Sequence, residues 1–448
     1  MSYKTYDAYE TIDNSFLKQM PKDWEMFKLK FLINTLESGK RKDFENETFA
    51  FSIGGEHINW NGTLNLKNER YVSEDFYNSM SKGKICKNDT LLVKDGATIG
   101  KTAFVDNLPQ KMAVNEHVFI LRSNKLLNPK LLYYLIFSNL GFTQIKLTET
   151  GSAQGGISQS IADKVEFIIP INLTHQQQIV DYLDKQTAKI DATIAKNEEL
   201  IKLLEEKRVT LINQVVTKGL NPDVSMKDSG VKWIGEIPEH WGVEKIKNLS
   251  EVKPSNVDKK TKDNEPSVLL CNYTDVYNNE FITMDLDFMK ATATYDQIKK
   301  LSLNVGDIII TKDSESADDI AVPAIVTEKL ENVVCGYHLA VIRPNEEKIY
   351  PKFLFRSFES DKINKQFEHG ANGVTRFGLG TYPIKNAYVC QPPLSEQKEI
   401  ANYLDNENSK IYKATNKIIV HTDLLEEYKT SLIHNVVTGK IDVREEVI

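Results

Sequence analysis

Residues 173–190 read LTHQQQIVDYLDKQTAKI, and residues 394–411 read LSEQKEIANYLDNENSKI. The second is the first again, 221 positions on. The match resumes at LLEEKRVTLINQVVT (203–217) and LLEEYKTSLIHNVVT (424–438), with the same offset. Across these 45 aligned positions, without a gap, 18 are identical. A repeat of this kind sets the architecture before any local reading. Weaker echoes lie upstream: FLKQMPKDW (16–24) with WIGEIPEHW (233–241), NDTLLVKD (88–95) with GDIIITKD (306–313), EHVFILR (116–122) with YHLAVIR (337–343), and NPKLLYYL (128–135) with YPKFLFRS (350–357). The chain reads as two copies of one unit. Each copy is a mixed segment (1–173 and 221–393) followed by a long helix (174–220, then 394–448 with a tail).

The helices follow from the spacing of apolar residues. One line in the first copy is Leu183, Ile190, Asn197, Leu204 and Leu211, and the other is Val180, Thr187, Ile194, Ile201, Arg208 and Val215. Sevenfold steps within each line are the mark of a coiled-coil seam. The second copy carries Leu404, Ile411, Ile418, Leu425 and Leu432, beside a weaker line through Asn408, Thr422 and Lys429. No proline interrupts either run, and Gly219 and Gly439 stand where each should stop. Helices of about 40 residues would be about 60 Å long. Neither can bury its stripe alone, so the two are expected to pack together. Polar seam residues such as Asn197 and Thr422 would favour one register.

The mixed segments hold short β-like runs (TLLVK, HVFILR, VEFIIP, DIIIT, HLAVIRP) among turns and helical pieces such as PKLLYYLIFS. This pattern predicts an α+β fold with a loop-rich face. Apolar residues make up 41% of the chain, enough for sizeable cores. No run of 18 apolar residues suggests a membrane span, and MSYKTYDAYE lacks the features of a signal peptide. Cys86, Cys271, Cys335 and Cys390 are far apart and form no CxxC pair. Buried thiols in a reduced, cytoplasmic protein are expected, with no metal site and no disulfide framework.

The net charge of −7 does not advertise nucleic-acid binding. Residues 1–173 carry 21 basic and 20 acidic side chains, and residues 221–393 carry 21 and 26. Any DNA contact must therefore use local patches. Lys40, Arg41 and Lys42 are adjacent; Lys82, Lys84 and Lys87 precede the TLLVKD run, and Lys94 and Lys101 follow it. The second copy offers Lys259 and Lys260, then Lys299 and Lys300 before DIIITKD, and Lys312 within it. Recurrence at equivalent places points to phosphate contact. Two glycine-rich loops also correspond, TGSAQGGISQS (150–160) and HGANGVTRFGLG (369–380). Their Gln154, Gln159, Asn372 and Arg376 carry groups that read base edges.

No catalytic constellation emerges. KDGATIGKTA (94–103) imitates a phosphate-binding loop, but Gly96 and Gly100 are one residue too close, and the sequence after Lys101 is β-like. The second copy, KDSESADDIA, lacks the glycines, so a strand–turn–strand corner is expected. QPPL (391–394) lacks the lead residue and the aromatic of a base-holding methyltransferase tetrapeptide. His117 and His338 sit before equivalent strands, where a core or loop role is expected.

The order mixed domain, helix, mixed domain, helix, with GDIIITKD, GEIPEHW, PLSEQKEIANYLD and the linker GLNPDVSMKDSGVKWIGEIPEHW, resembles the specificity subunit of type I restriction–modification systems. The resemblance covers essentially the whole chain. It implies two target-recognition domains, each reading one half of a bipartite DNA site, and an antiparallel coiled coil that sets their spacing. It further implies docking of two methyltransferase subunits, which bring S-adenosylmethionine, and of translocase–nuclease subunits with ATP and Mg. This subunit itself would bind no cofactor and catalyse nothing. The competing expectation is a coiled-coil scaffold for two protein-binding modules, independent of DNA.

Overall fold

The computed structural model describes residues 3–40, 48–151 and 155–445. Arg41, Lys42 and Gln154 lie outside the described residues. Contacts divide the chain into two units, residues 1–197 with 419–448, and residues 198–418.

In the first unit a four-stranded antiparallel sheet is built from β1 (Ile33–Ser38), β2 (Thr90–Val93), β3 (Thr102–Phe104) and β4 (Val118–Ser123). Their spatial order is β1-β4-β2-β3. All four residues of β2 are buried, as their unbroken apolar run requires. β2 and β3 pair across KDGATIGKTA as a hairpin, with no helix after Lys101. Gly100 has φ +96°, and a Cβ there would lie 2.5 Å from the Phe142 ring. These glycines serve a turn and its packing.

The second unit repeats the plan with β5 (Ser250–Pro254), β6 (Phe281–Ile282), β7 (Ile308–Thr311), β8 (Pro323–Val326) and β9 (Leu339–Pro344). Their order is β5-β9-β7-β8-β6. Strands β5, β9, β7 and β8 therefore stand for β1, β4, β2 and β3, and the sequence repeat extends to topology. Each unit adds a three-stranded sheet containing one parallel pair, Ala50–Ile53 with Met112–Val114 and Ser267–Cys271 with Val333–Cys335.

One buried ion pair recurs in both sheets. Asp89, fully buried, takes two bonds from Arg122 at 2.7 and 2.8 Å and one from the Cys86 amide at 2.7 Å. Asp307, 1% exposed, takes two from Arg343 at 2.7 and 2.6 Å and one from the Asn304 amide at 2.8 Å. Each aspartate fastens the turn that enters a central strand to the neighbouring strand. Cysteines 271, 335 and 390 are buried, and burial pushes the Cys390 thiol up to about 12. Cys86 is exposed, contrary to expectation, because its turn uses the backbone amide and leaves the side chain outside.

The long helices are α1 (Leu173–Lys218) and α2 (Leu394–Val437), of 46 and 44 residues. In the first unit they run antiparallel: Lys429 pairs with Asp191 at 2.6 Å, and Asn197 Nδ2 donates to Thr422 Oγ1 at 3.0 Å. The two polar seam residues therefore meet each other. Leu183 and Ile190 share a core with Leu432 and Val436. In the second unit Ile212 and Val215 share one with Ile400, Ala401 and Leu404. Leu183, Ile190, Leu404, Ile411 and Leu432 are buried, whereas Ile194, Ile201, Leu204, Leu211, Ile418 and Leu425 are half-buried. Full burial needs the mixed domain as a third wall; a helix facing only another helix keeps part of its seam open. Val420 and Leu424 in the first unit, and Leu203 in the second, are more than half exposed.

Helix and domain are joined the same way twice. The fully buried Gln176 accepts from the Asn128 amide at 2.7 Å, and Gln397 from the Tyr350 amide at 2.7 Å. Asp184 meets Lys130 at 3.0 Å and the Tyr134 hydroxyl at 2.5 Å. Asp405 meets Lys352 at 2.8 Å and, in place of a tyrosine, Arg356 at 2.7 Å. Arg356 is 1% exposed and also pairs with Glu359, which in turn holds Arg208 of α1. Both helices end at the expected glycines, Gly219 (φ +76°) and Gly439 (φ +67°). A Cβ on Gly219 would lie 3.2 Å from Trp241, and one on Gly439 3.6 Å from Trp24. Beyond Gly439 the chain returns to its start: the Asp442 amide donates to the Lys4 carbonyl at 2.8 Å, and Lys4 pairs with Glu445 at 2.6 Å. Among the described residues no helix is long and apolar enough to cross a membrane.

Candidate nucleic-acid interface

β2 leads into Lys94-Asp95, and β7 into Lys312-Asp313. His117 precedes β4, and His338 precedes β9. In each unit the histidine Nδ1 meets the aspartate, His117 with Asp95 at 2.5 Å and His338 with Asp313 at 2.6 Å. Backbone bonds repeat beside them. The Lys94 amide donates to the His117 carbonyl and the Lys312 amide to the His338 carbonyl, both at 2.9 Å. The glycine-rich loops dock on the same strand ends: the Ile157 amide donates to the Lys94 carbonyl at 2.8 Å, and the Leu379 amide to the Lys312 carbonyl at 2.7 Å. One edge therefore carries Lys94, its neighbour Lys101 and the 155–160 loop in the first unit. The equivalent edge carries Lys312, Asn372 and Arg376 in the second.

The decoration of the two edges differs. In the first unit a cleft is lined by Gly55, Glu56, Asp95, His117, Gly156 and Ser158. Lys101 lies over the Trp60 ring at 5.7 Å, and Trp60, 55% exposed, meets Phe142 edge-on at 6.1 Å. His117 Nε2 also lies 3.1 Å from Glu116. In the second unit Tyr337 replaces Glu116, and Lys312 lies over its ring at 4.9 Å. There the glycine-rich loop forms a hairpin between Ala371–Asn372 and Phe377–Leu379, extended by Asp313–Ser314.

The remaining sequence candidates differ in exposure and bonding. Lys40, Lys82, Lys87, Lys259, Lys260, Lys299 and Lys300 are exposed, and no ion pair among the described residues ties them to these edges. Lys84 is half-buried over the Tyr77 ring at 5.0 Å. Lys94 pairs with Asp95 at 3.0 Å. The Gln159 amide donates to the Leu36 carbonyl at 3.0 Å, so the fold already uses its amide group. The histidine–aspartate pairs were missed; the usable signal was that both residue types recur at the same places in both copies.

The model of the type I restriction modification DNA specificity domain matches this chain twice, over residues 21–202 and 238–420. The chain belongs to that family. It is similar to the MjaVIII specificity subunit of Methanocaldococcus jannaschii, 23% identical over 441 residues and 95% of each chain. It is also similar to the EcoKI specificity subunit of Escherichia coli, 22% identical over 329 residues, 72% of this chain and 68% of that one. Among solved structures, a chain from a type I restriction–modification system studied for complex assembly and conformational transition superposes with a TM-score of 0.70 at 13% identity, over 94% of this chain and 99% of the other. The HsdS subunit of Thermoanaerobacter tengcongensis does so with 0.54 at 14% identity, over 95% and 99%. At such identities the superpositions establish the fold. As a type I specificity subunit the chain recognises DNA sequence through two target-recognition domains, and the two edges above belong to one domain each.

Proposed function

We propose that each recognition domain reads one half of an asymmetric bipartite site, with the decorated strand edge as its reading face. The observation that carries this is one backbone framework built twice and dressed differently: Trp60, Lys101 and Glu116 on one edge, Tyr337, Asn372 and Arg376 on the other. A shared framework places both edges alike, and different side chains read different bases. Half-sites on one face of B-DNA lie about 34 Å apart per helical turn or multiples of it, so a spacer of fixed length selects the spacing. The helices α1 and α2 serve as that spacer. Their exposed apolar residues, Val420 and Leu424 among them, support docking of two methyltransferase subunits, with translocase–nuclease subunits joining that core. In this reading S-adenosylmethionine, ATP and Mg act on the partners, and this subunit performs no chemistry.

Residues 221–393 carry 21 basic against 26 acidic side chains, a net of −5. Binding by the isolated subunit should therefore be weak, with the partners supplying much of the phosphate contact. The test is co-expression with a matching methyltransferase, followed by genome-wide sequencing of methylated adenines. One bipartite motif is expected, and exchange of residues 1–173 for those of another family member should change one half only. Change in both halves would break the domain assignment, and no motif under any pairing would favour the DNA-independent scaffold.

A further inference from the structure

The glycine-rich loop of the second unit closes as a hairpin on that edge. Its base is fixed: Ala371 and Asn372 pair with Leu379 and Gly378, Gly378 and Phe377 pair with Asp313 and Ser314, and Leu379 is 4% exposed within the core. Its tip is Gly373-Val374-Thr375-Arg376. Gly373 has φ +154°, and a Cβ there would lie 2.0 Å from the Arg376 carbonyl oxygen, so the tight closure requires glycine.

Two side chains at this tip defy the rest of the molecule. Val374 is 92% exposed, more than any other large apolar side chain among the described residues. Seven arginines are described, and six of them pair with carboxylates: Arg70, Arg122, Arg208, Arg343, Arg356 and Arg444. Arg376 has no ion-pair partner among the described residues and is exposed. A hairpin paired at its base thus presents an uncovered methyl pair and, two residues on, a guanidinium fork with no carboxylate partner among the described residues.

The chemistry of the neighbourhood selects what this tip can meet. Glu315 and Asp318, exposed on the adjoining segment, repel a run of phosphates. The B-DNA major groove, about 12 Å wide, admits a two-stranded ribbon and displays neutral base edges. Guanine O6 and N7 match the guanidinium fork, and the thymine methyl group is an apolar partner for valine. Resting on the reading of this domain as a half-site reader, we propose that the hairpin tip enters the major groove of the second half-site, where Arg376 reads a guanine and Val374 packs on a thymine methyl.

The experiment compares the methylated motif and the methylation rate of complexes containing the wild-type chain, Arg376→Lys, Arg376→Ala or Val374→Ser. Lysine keeps the charge and loses the fork. Arg376→Lys and Arg376→Ala should both relax one guanine position, lowering discrimination there by about 5- to 150-fold. Val374→Ser should relax one A·T position. Both positions should lie in the half-site that changes when residues 221–393 are exchanged. An unchanged motif with unchanged rates overturns the proposal. So does a uniform rate loss in Arg376→Ala that Arg376→Lys restores, which marks a phosphate contact. Absence of any motif with the wild-type chain would instead sink the half-site reading itself. Melting profiles of the variants confirm folding, which substitutions at so exposed a tip should leave intact.

Discussion

Replacing Asp307 by asparagine should loosen the second unit and leave the first alone. The substitution keeps the shape of the side chain and removes its charge. Three bonds onto the carboxylate are at stake, two from Arg343 and one from the Asn304 amide. A bond to a charged group contributes about 1.5–3 kcal/mol, and breaking a buried pair by removing one partner costs about 3–5 kcal/mol. Arg343 is 26% exposed, so water recovers part of the loss, and about 2–4 kcal/mol is expected. The assay is native-state hydrogen exchange of the amides in β7 and β9. If they exchange through opening of this sheet, they should speed up about 30- to 900-fold. The repeat provides an internal control, because Asp89→Asn should do the same to β2 and β4. Acceleration below about tenfold, or acceleration in the other unit's strands, would refute the view that each pair clamps its own sheet.

Acidification should weaken the first unit through two histidines. Burial, then Arg444, holds the His175 ring below its ordinary 6.5, and burial, then Lys440, does the same for His434. The unfolded chain therefore binds more protons below 6.5, and stability is lost as pH falls through that value; the thermal midpoint should drop between pH 7.5 and 5.5, less steeply in His175→Gln. Gly439→Ala forces a left-handed residue and brings a Cβ within 2.6 Å of Pro21, so chemical denaturation should show a loss of about 1–3 kcal/mol. Deleting residues 440–448 removes Ile441 (5% exposed) and the fully buried Val443. The same measurement should show a loss of about 3–6 kcal/mol at about 1.5–3 kcal/mol per aliphatic side chain, confined to the first unit.

The large-scale plan was legible because repetition and heptads are linear signals. The helices, their terminal glycines, Trp24 with Trp241 and the β2–β3 corner could all be read by sliding the chain along itself. Chemistry that joins distant positions could not. Asp89 lies 33 residues from Arg122 and Asp307 lies 36 from Arg343, and no periodicity announces such pairs. Runs of lysine are conspicuous in a sequence, but Lys82 and Lys87, or Lys299 and Lys300, are exposed and make no ion pair with the loop edge among the described residues. Val374 escaped because an apolar residue is read as core by default; only its exposure at the end of a pinned hairpin marks it.

The joint between domain and helix limits how this protein can be recombined. Aligning the copies sets Phe137 against Glu359. A graft of the first recognition domain onto the second position would therefore bring no carboxylate in place of Glu359, and Arg208 would keep only Glu205 of its own helix. A graft in the other direction would carry Arg356 and Glu359 together and set Arg356 against Asp184, while Glu359 would meet Lys429 in place of Arg208, a lysine that Asp191 already holds. Cassette exchange should succeed most readily between like positions, or when the crossover carries the stretch of α1 through residue 208 along with its domain. The two halves are copies in topology, but each has been keyed to its own socket.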